Sequence, residues 1–256
     1  MKRILFITPF TPCNKDAGSN YTKQLLEKLS LSNQIDLCYF KYKNDPLYNP
    51  SNKNIQIIKK FSNNKLLKIT NIIFFPFLFP LFTVRFNWII LIQLYYLTRK
   101  RNYDIIYCDF SQTFLYAKFL RHNNIILMSH DVIYQRFSRK KINFKTWIKY
   151  SENWVLHGKN KHTFTFSPKD NQLLSTLYDI KSKDVCFFIP QSIYNTTPST
   201  LTNNIIFFGM WKRADNYQSL EWFIDNILPH ITCNTTIIGG GLPNHLNDKI
   251  KKLKKM

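Results

Sequence analysis

Asn204-Ile-Ile-Phe-Phe-Gly209 is an unbroken apolar run closed by a glycine. Such a run, too short for a buried helix and rich in β-branched and aromatic residues, reads as a buried strand. A helical pattern from about Tyr217 to Leu228 follows and is stopped by Pro229, and Thr235-Thr-Ile-Ile238 before Gly239-Gly240-Gly241 reads as a second strand. Strand, helix, strand is the order already set at the N-terminus, so the run at 204 marks a restart. Residues 191–203, crowded with Ser, Thr, Asn and Pro, then fall where an interdomain linker belongs. The chain divides as a first domain at 1–190, a linker at 191–203 and a second domain, shorter than the first, at 204–256.

Working back from there, Arg3-Ile-Leu-Phe-Ile-Thr8 predicts a buried first strand. A turn-forming loop (Pro9, Pro12, Asn14, Asp16, Gly18) follows, then a helix whose Tyr21, Leu25, Leu26 and Leu29 share one face. Further strands are expected at Ile35–Phe40, Ile55–Ile58, Asp104–Cys108, Ile125–Met128, Thr163–Phe166 and Val185–Ile189. Ser167-Pro-Lys-Asp170 is a helix start, with Ser to cap, Pro for the first helical position and Asp in the first turn. Alternation of this kind predicts an α/β fold, a parallel sheet with helices on both faces.

The chain has 256 residues, 45% of them hydrophobic, enough for one good core and part of another. Lys and Arg number 36 against 15 Asp and Glu, a net charge of +21. That field attracts phosphorylated substrates, anionic lipid or nucleic acid. The basic residues are scattered (Lys59-Lys60, Arg99-Lys100-Arg101, Arg139-Lys140-Lys141, Lys251-Lys252), and no recognition helix, zinc motif or RNA-binding signature accompanies them, so no specific nucleic-acid partner is expected. The cysteines (Cys13, Cys38, Cys108, Cys186, Cys233) are five, an odd number, and far apart. Three fall in predicted strands, so they read as packing residues of a reducing compartment, with no metal site. Ile69–Val84 is free of charge but contains Pro76 and Pro80 and is too short to span a bilayer. With Phe86–Thr98, flanked by Arg85 and Arg99, it reads either as an internal helix pair or as a surface lying on anionic membrane.

In an open parallel sheet, ligands bind beyond the carboxyl ends of the strands. Three places there draw attention. Asp16-Ala17-Gly18-Ser19 lies just ahead of the first helix, where small residues and the free N–H groups of the helix N-terminus suit phosphate. Ser129-His130-Asp131 follows a strand and offers an imidazole to a sugar hydroxyl or a developing charge. Lys212 and Arg213 follow the strand at 205–208 and suit a diphosphate. Each has a plain alternative: an ordinary loop, a structural histidine, solvated surface charge. Another Rossmann enzyme such as a methyltransferase fits less well, because no Gly-x-Gly-x-x-Gly follows the first strand and Phe40-Lys41 stand where an acidic residue would end the second.

The order of Tyr103-Asp-Ile-Ile-Tyr107, Ser129-His-Asp131, Phe166-Ser-Pro-Lys-Asp170, Ile189-Pro-Gln-Ser192, Phe207-Phe-Gly-Met-Trp-Lys-Arg-Ala-Asp-Asn216, Glu221-Trp-Phe-Ile224 with Leu228-Pro229, and Ile237-Ile-Gly-Gly-Gly241 resembles family 4 retaining glycosyltransferases of the GT-B fold. The resemblance implies one complete Rossmann-like N-terminal domain for the acceptor and the first part of a second Rossmann-like domain for a nucleotide-sugar donor. It implies His130 facing the donor sugar as the catalytic residue, Arg213 helped by Lys212 on the donor diphosphate, and Ala17, Gly18 and Ser19 near diphosphate and acceptor. No metal and no cofactor are implied, since protein cations stabilise the leaving group. The expected acceptor is a cell-envelope polysaccharide, lipopolysaccharide or lipid-linked glycan, and the expected place is the cytoplasm, peripheral to the inner face of the cytoplasmic membrane.

Two departures from the family pattern stand out. Pro190-Gln-Ser-Ile193 replaces the usual Pro-Asn-Gly-Val, and the family's glutamate pair spaced by seven residues, which binds donor sugar and ribose, would fall after residue 256. The sequence therefore also fits a C-terminally truncated, inactive product, or a non-enzymatic membrane-surface partner retaining the acceptor-side domain.

Overall fold

The computed structural model describes residues 1–139, 143–186 and 204–253, and the chain separates into two compact units, Met1–Pro190 and Gln191–Met256. The expected linker at 191–203, the turn Pro190-Gln-Ser-Ile193 and the pair Lys140-Lys141 lie outside the described residues.

The first unit holds seven strands: β1 (Lys2–Thr8), β2 (Asn33–Phe40), β3 (Ile55–Phe61), β4 (Ile105–Asp109), β5 (Ile125–Ser129), β6 (Lys161–Thr165) and β7 (Ser182–Asp184). All neighbours are parallel, in the order β3-β2-β1-β4-β5-β6-β7. Strand order runs outward from β1 on one side and from β4 on the other, so the chain changes direction across the sheet between β1 and β4. Where it does so, the loops leaving two neighbouring strands turn to opposite faces and open a crevice. Ile4 pairs with Ile35 on one side and Ile105 on the other.

Burial on both faces explains why these strands lack polar alternation. Leu5 and Ile7 join a core with Cys108, Ile106, Leu127, Phe82 and Phe86. Phe6, pointing the opposite way along the same strand, joins Leu26, Ile35, Leu37 and Tyr39 under α1 (Ala17–Ser30). Asp16 caps α1 in a capping box with Ser19, and Ser167 caps α8 (Pro168–Tyr178) by accepting the Asp170 N–H at 3.0 Å. The helix start read from Ser167-Pro-Lys-Asp170 is thus observed.

Two edges differ from expectation. β6 ends at Thr165, one residue before the expected Phe166, which frees that ring to turn aside. The strand expected at Val185–Ile189 falls mostly outside the described residues, which include only Val185 and Cys186 of it; a strand not expected from sequence runs Ser182–Asp184, and Val185 N–H donates to Thr165 O at 2.9 Å. An edge strand needs only one hydrogen-bonded neighbour, so apolar content does not locate it; Thr163–Thr165 pair with the polar Ser182–Asp184. Cys186 is consequently exposed, while Cys38 and Cys108 are buried in strands and all five cysteines are free.

Between β3 and β4 lie α2 (Lys65–Phe74), α3 (Pro80–Thr83) and α4 (Trp88–Lys100). These helices and the turns joining them pack inward through Phe75, Leu78, Phe82, Phe86, Ile90 and Leu94. Asn71, fully buried, donates to the carbonyls of Thr83 and Phe86 and ties α2 down. Their outer faces stay open: Leu66, Ile69, Ile73, Ile89, Ile92 and Tyr96 are all exposed. Among the described residues no helix is long and apolar enough to cross a membrane.

The second unit pairs β8 (Asn204–Phe208) with β9 (Asn234–Ile238) in parallel, with α9 (Ala214–Asn226) and α10 (Asn244–Leu253) beside them. These strands read as asking for cover on both faces with too little of the second domain to supply it, and apolar surface is indeed left open. Phe207 and Ile237 pack toward Trp211, Leu220, Ile224 and Leu246, but Ile206, Phe208 and Ile238 on the other face are exposed.

Candidate functional site

The crevice between β1 and β4 is where the side chains nominated in the first unit come together. β4 ends on Asp109, whose carboxylate is 0% exposed. It accepts from Thr22 Oγ1 of α1 at 2.7 Å and from Thr8 Oγ1, at the end of β1, at 3.4 Å. Its other oxygen lies 2.8 Å from His130 Nε2, just beyond β5. Thus three strand ends and one helix converge on a single buried carboxylate. With Nε2 engaged there, Nδ1 is the ring nitrogen left to a ligand.

The imidazole is boxed by rings. Phe110 stacks on it with centroids 3.4 Å apart and planes 8° from parallel, while Tyr21 and Phe166 meet it edge-on at 5.8 and 4.8 Å. Phe110 reaches that position through a backbone at φ 60°, ψ 150°, a region that costs a side-chain-bearing residue ~1–3 kcal/mol. The same ring explains Gly18: a Cβ there would stand 3.1 Å from Phe110 Cζ. The small-residue loop and His130 are therefore neighbours, with Phe110 wedged between them.

Within that loop the three nominated residues differ. Ala17 is exposed and Gly18 half-buried, whereas Ser19 is buried, its N–H donating to Asp16 Oδ1 at 2.9 Å and its hydroxyl 3.3 Å from the Asp16 N–H. Ser19 belongs to the helix cap, which leaves the backbone at Ala17 and Gly18 as the part open to a ligand. Asp109 and Phe110 were not among the residues nominated from sequence. Their signal was their place just after an expected strand, read one residue short at Cys108. Nearby, burial chiefly, with the Asp109 charge adding to it, raises the Tyr107 hydroxyl well above the ordinary range, so it stays a neutral phenol.

In the second unit, two glycine-bearing loops dock at the carboxyl ends of β8 and β9. Gly209 N–H donates to Ile238 O, Trp211 N–H to Gly240 O at 2.9 Å, and Trp211 Nε1 to Ile238 O at 3.0 Å. Gly239 sits at φ +126°, and a Cβ on it would come within 1.8 Å of the Gly209 carbonyl. Lys212 and Arg213 stand exposed on this turn at the N-terminus of α9, with no ion-pair partner among the described residues. Two unneutralised cations beside a helix N-terminus suit an anion. Among the described residues no group of three or more His, Cys, Asp or Glu side chains could hold a metal ion.

No protein-family model matches the sequence, and no curated protein matches it. Solved structures do. A sucrose-phosphate synthase from Thermosynechococcus elongatus superposes with a TM-score of 0.61 at 14% identity, covering 100% of this chain and 67% of that one. The N-terminal domain of a Candida albicans trehalose-6-phosphate phosphatase superposes at 0.53 with 10% identity, covering 100% of this chain and 68% of that one. At such identities the likeness is one of fold, and the fold is the Rossmann-like α/β fold of GT-B type.

Proposed function

We propose that the protein is a glycosyltransferase that moves a sugar, with retention, from a nucleotide-sugar donor to a cell-envelope polysaccharide or lipid-linked acceptor. The observation that carries this reading is the convergence of Gly18, Asp109, Phe110 and His130 at the switch point of a doubly wound sheet. It is supported by the sequence resemblance and by the fold likeness to a sucrose-phosphate synthase, a name that implies formation of a glycosidic bond.

In the proposed reaction the bond from the sugar C1 to the diphosphate breaks, the acceptor oxygen bonds to C1, and its proton leaves with the diphosphate. His130, fixed through Nε2 by Asp109, meets the donor sugar through Nδ1. Arg213 and Lys212 take the charge that grows on the leaving diphosphate, which needs no metal ion. The backbone at Ala17 and Gly18 lies by the acceptor and diphosphate; Ser19 acts by capping the helix that presents them. A cytoplasmic enzyme peripheral to the inner face of the membrane fits the open apolar faces of α2 and α4 with Lys65, Lys68, Arg99 and Lys100 beside them.

A nucleotide-release assay tests the proposal. Groups that act on the transition state should lower turnover by on the order of 10² to 10³ when removed. His130→Ala and Arg213→Ala are expected to fall by that factor while Lys53→Ala does not; near-parental turnover in both site variants, with folding intact, refutes the roles given to them.

A further inference from the structure

Beyond the last residues of β2 and β3 the first unit has a second concavity, about 640 Å³, on the same carboxyl edge of the sheet as His130. Phe40, Tyr42 and Phe61 line it together with Lys41, Lys43, Lys60 and Lys68, and no acidic side chain does. None of these four lysines forms an ion pair among the described residues. Four like charges around one hollow repel each other, and an anion placed among them relieves that repulsion.

The hollow is joined to the His130 site. The Arg85 guanidinium lies 5.9 Å from the Phe40 ring centre, donates to the Tyr42 hydroxyl at 2.9 Å, and also lies 4.9 Å from the Phe10 ring centre. Phe10 meets Phe110 edge-on at 5.1 Å, and Phe110 stacks on His130. A row of contacts thus runs along the strand ends from hollow to imidazole. On its far side Lys68 belongs to α2, one residue from exposed Ile69 and one turn from exposed Ile72. Cations therefore face the hollow where an open apolar surface begins.

We propose that this hollow is a binding subsite for the phosphate or diphosphate group of the acceptor, held by Lys41, Lys43, Lys60 and Lys68, with Arg85 at its inner end toward His130. The proposal rests on the acceptor side of the glycosyl-transfer reading. A phosphate ester of this kind has two sources, a lipid headgroup whose chain follows the α2 surface or a water-soluble sugar phosphate.

The test is titration of the full chain with inorganic pyrophosphate at low salt, by calorimetry. It is run in a Lys212→Ala/Arg213→Ala background so that the second unit contributes no diphosphate site. Lys60→Glu/Lys68→Glu is expected to weaken binding at least about tenfold, the scale of one lost charge-assisted hydrogen bond. Lys53→Glu, one such charge reversal placed before the opposite end of β3, is expected to leave it unchanged, and added salt should weaken binding in the background chain. These lysines stand at the surface, and circular dichroism verifies that each variant folds. Absence of pyrophosphate binding in the background chain, or equal affinity in the double variant and Lys53→Glu, overturns the subsite. Either result leaves the donor reading standing, since nucleotide release by the parent chain is measured separately. A short prenyl diphosphate that binds at least about tenfold tighter than pyrophosphate, and loses that binding in the double variant, supports the subsite with a lipid source. Equal affinity of the two, again lost in the double variant, supports it with a water-soluble ester.

Discussion

β1 and β8 are written in nearly the same alphabet, Arg3-Ile-Leu-Phe-Ile and Asn204-Ile-Ile-Phe-Phe, yet their surroundings differ. In β1, Leu5, Phe6 and Ile7 are each 0% exposed, because helices cover both faces of the sheet. In β8, Ile206 is 63% and Phe208 83% exposed, because α9 and α10 cover one face. An apolar strand is a demand for cover, and only the other elements decide whether the demand is met. The same lesson holds within the first unit, where α2 and α4 meet the core with one face and leave an apolar face open.

The widest gap between the two strands should appear on truncating their aromatic residues. Phe6→Ala is expected to cost about 3–5 kcal/mol, because it opens a cavity in packed surroundings, whereas Phe208→Ala should stay within about 0.5 kcal/mol. Urea unfolding of the two variants makes the measurement, and equal costs would break the comparison.

A pH dependence of stability should appear in the first unit. Glu152, on α7 (Lys145–Leu156), is buried and accepts the N–H groups of Ile133 and Tyr134 and the Tyr178 hydroxyl. Burial pushes its carboxyl from 4.5 up to about 7 despite those three donors. Between these values the folded chain keeps a proton on Glu152 that the unfolded chain releases, so the contribution of this group is full below about pH 4.5 and is lost as pH rises to 7. That loss is about 3 kcal/mol, taking about 1.4 kcal/mol per pH unit. Glu152→Gln should flatten the stability profile of the unit in this window, and an unchanged slope would remove the group from the account.

Glycines sharpen the contrast more locally. Gly239→Ala must displace backbone, since its Cβ would fall 1.8 Å from the Gly209 carbonyl at a positive φ, and should cost ~1–3 kcal/mol. Gly18→Ala meets only the edge of the Phe110 ring, at 3.1 Å, and should cost less than Gly239→Ala. Thermal melts of the two variants rank them. The smallest effect on stability belongs to Phe208→Ser, again within about 0.5 kcal/mol. It removes exposed apolar surface from a two-stranded sheet, so self-association measured by light scattering should decline.

Much of the site was legible from one rule, that ligands gather after parallel strands. Gly18 and His130 came from it, and both lie against Phe110. Asp109 and Phe110 escaped because β4 extends one residue past Cys108, its last apolar position, and a carboxylate inside a strand end carries no apolar signal. Ser19 looked free in sequence, but Asp16 three residues earlier makes it half of a capping box. The hollow of lysines was illegible, since Lys41 and Lys43 come from one strand end, Lys60 from another and Lys68 from a helix.

By itself the sequence determined the alternation of strands and helices, the parallel α/β class and the helix start at Ser167, because these depend on residues within a turn or two of each other. Tertiary structure decided the strand order with its reversal between β1 and β4, which face of β8 stays open, and the meeting of Thr8, Thr22, Asp109 and His130. Those depend on contacts between residues 87 and 101 positions apart, as in Thr22 and Thr8 with Asp109, and local chemistry does not fix which distant elements become neighbours.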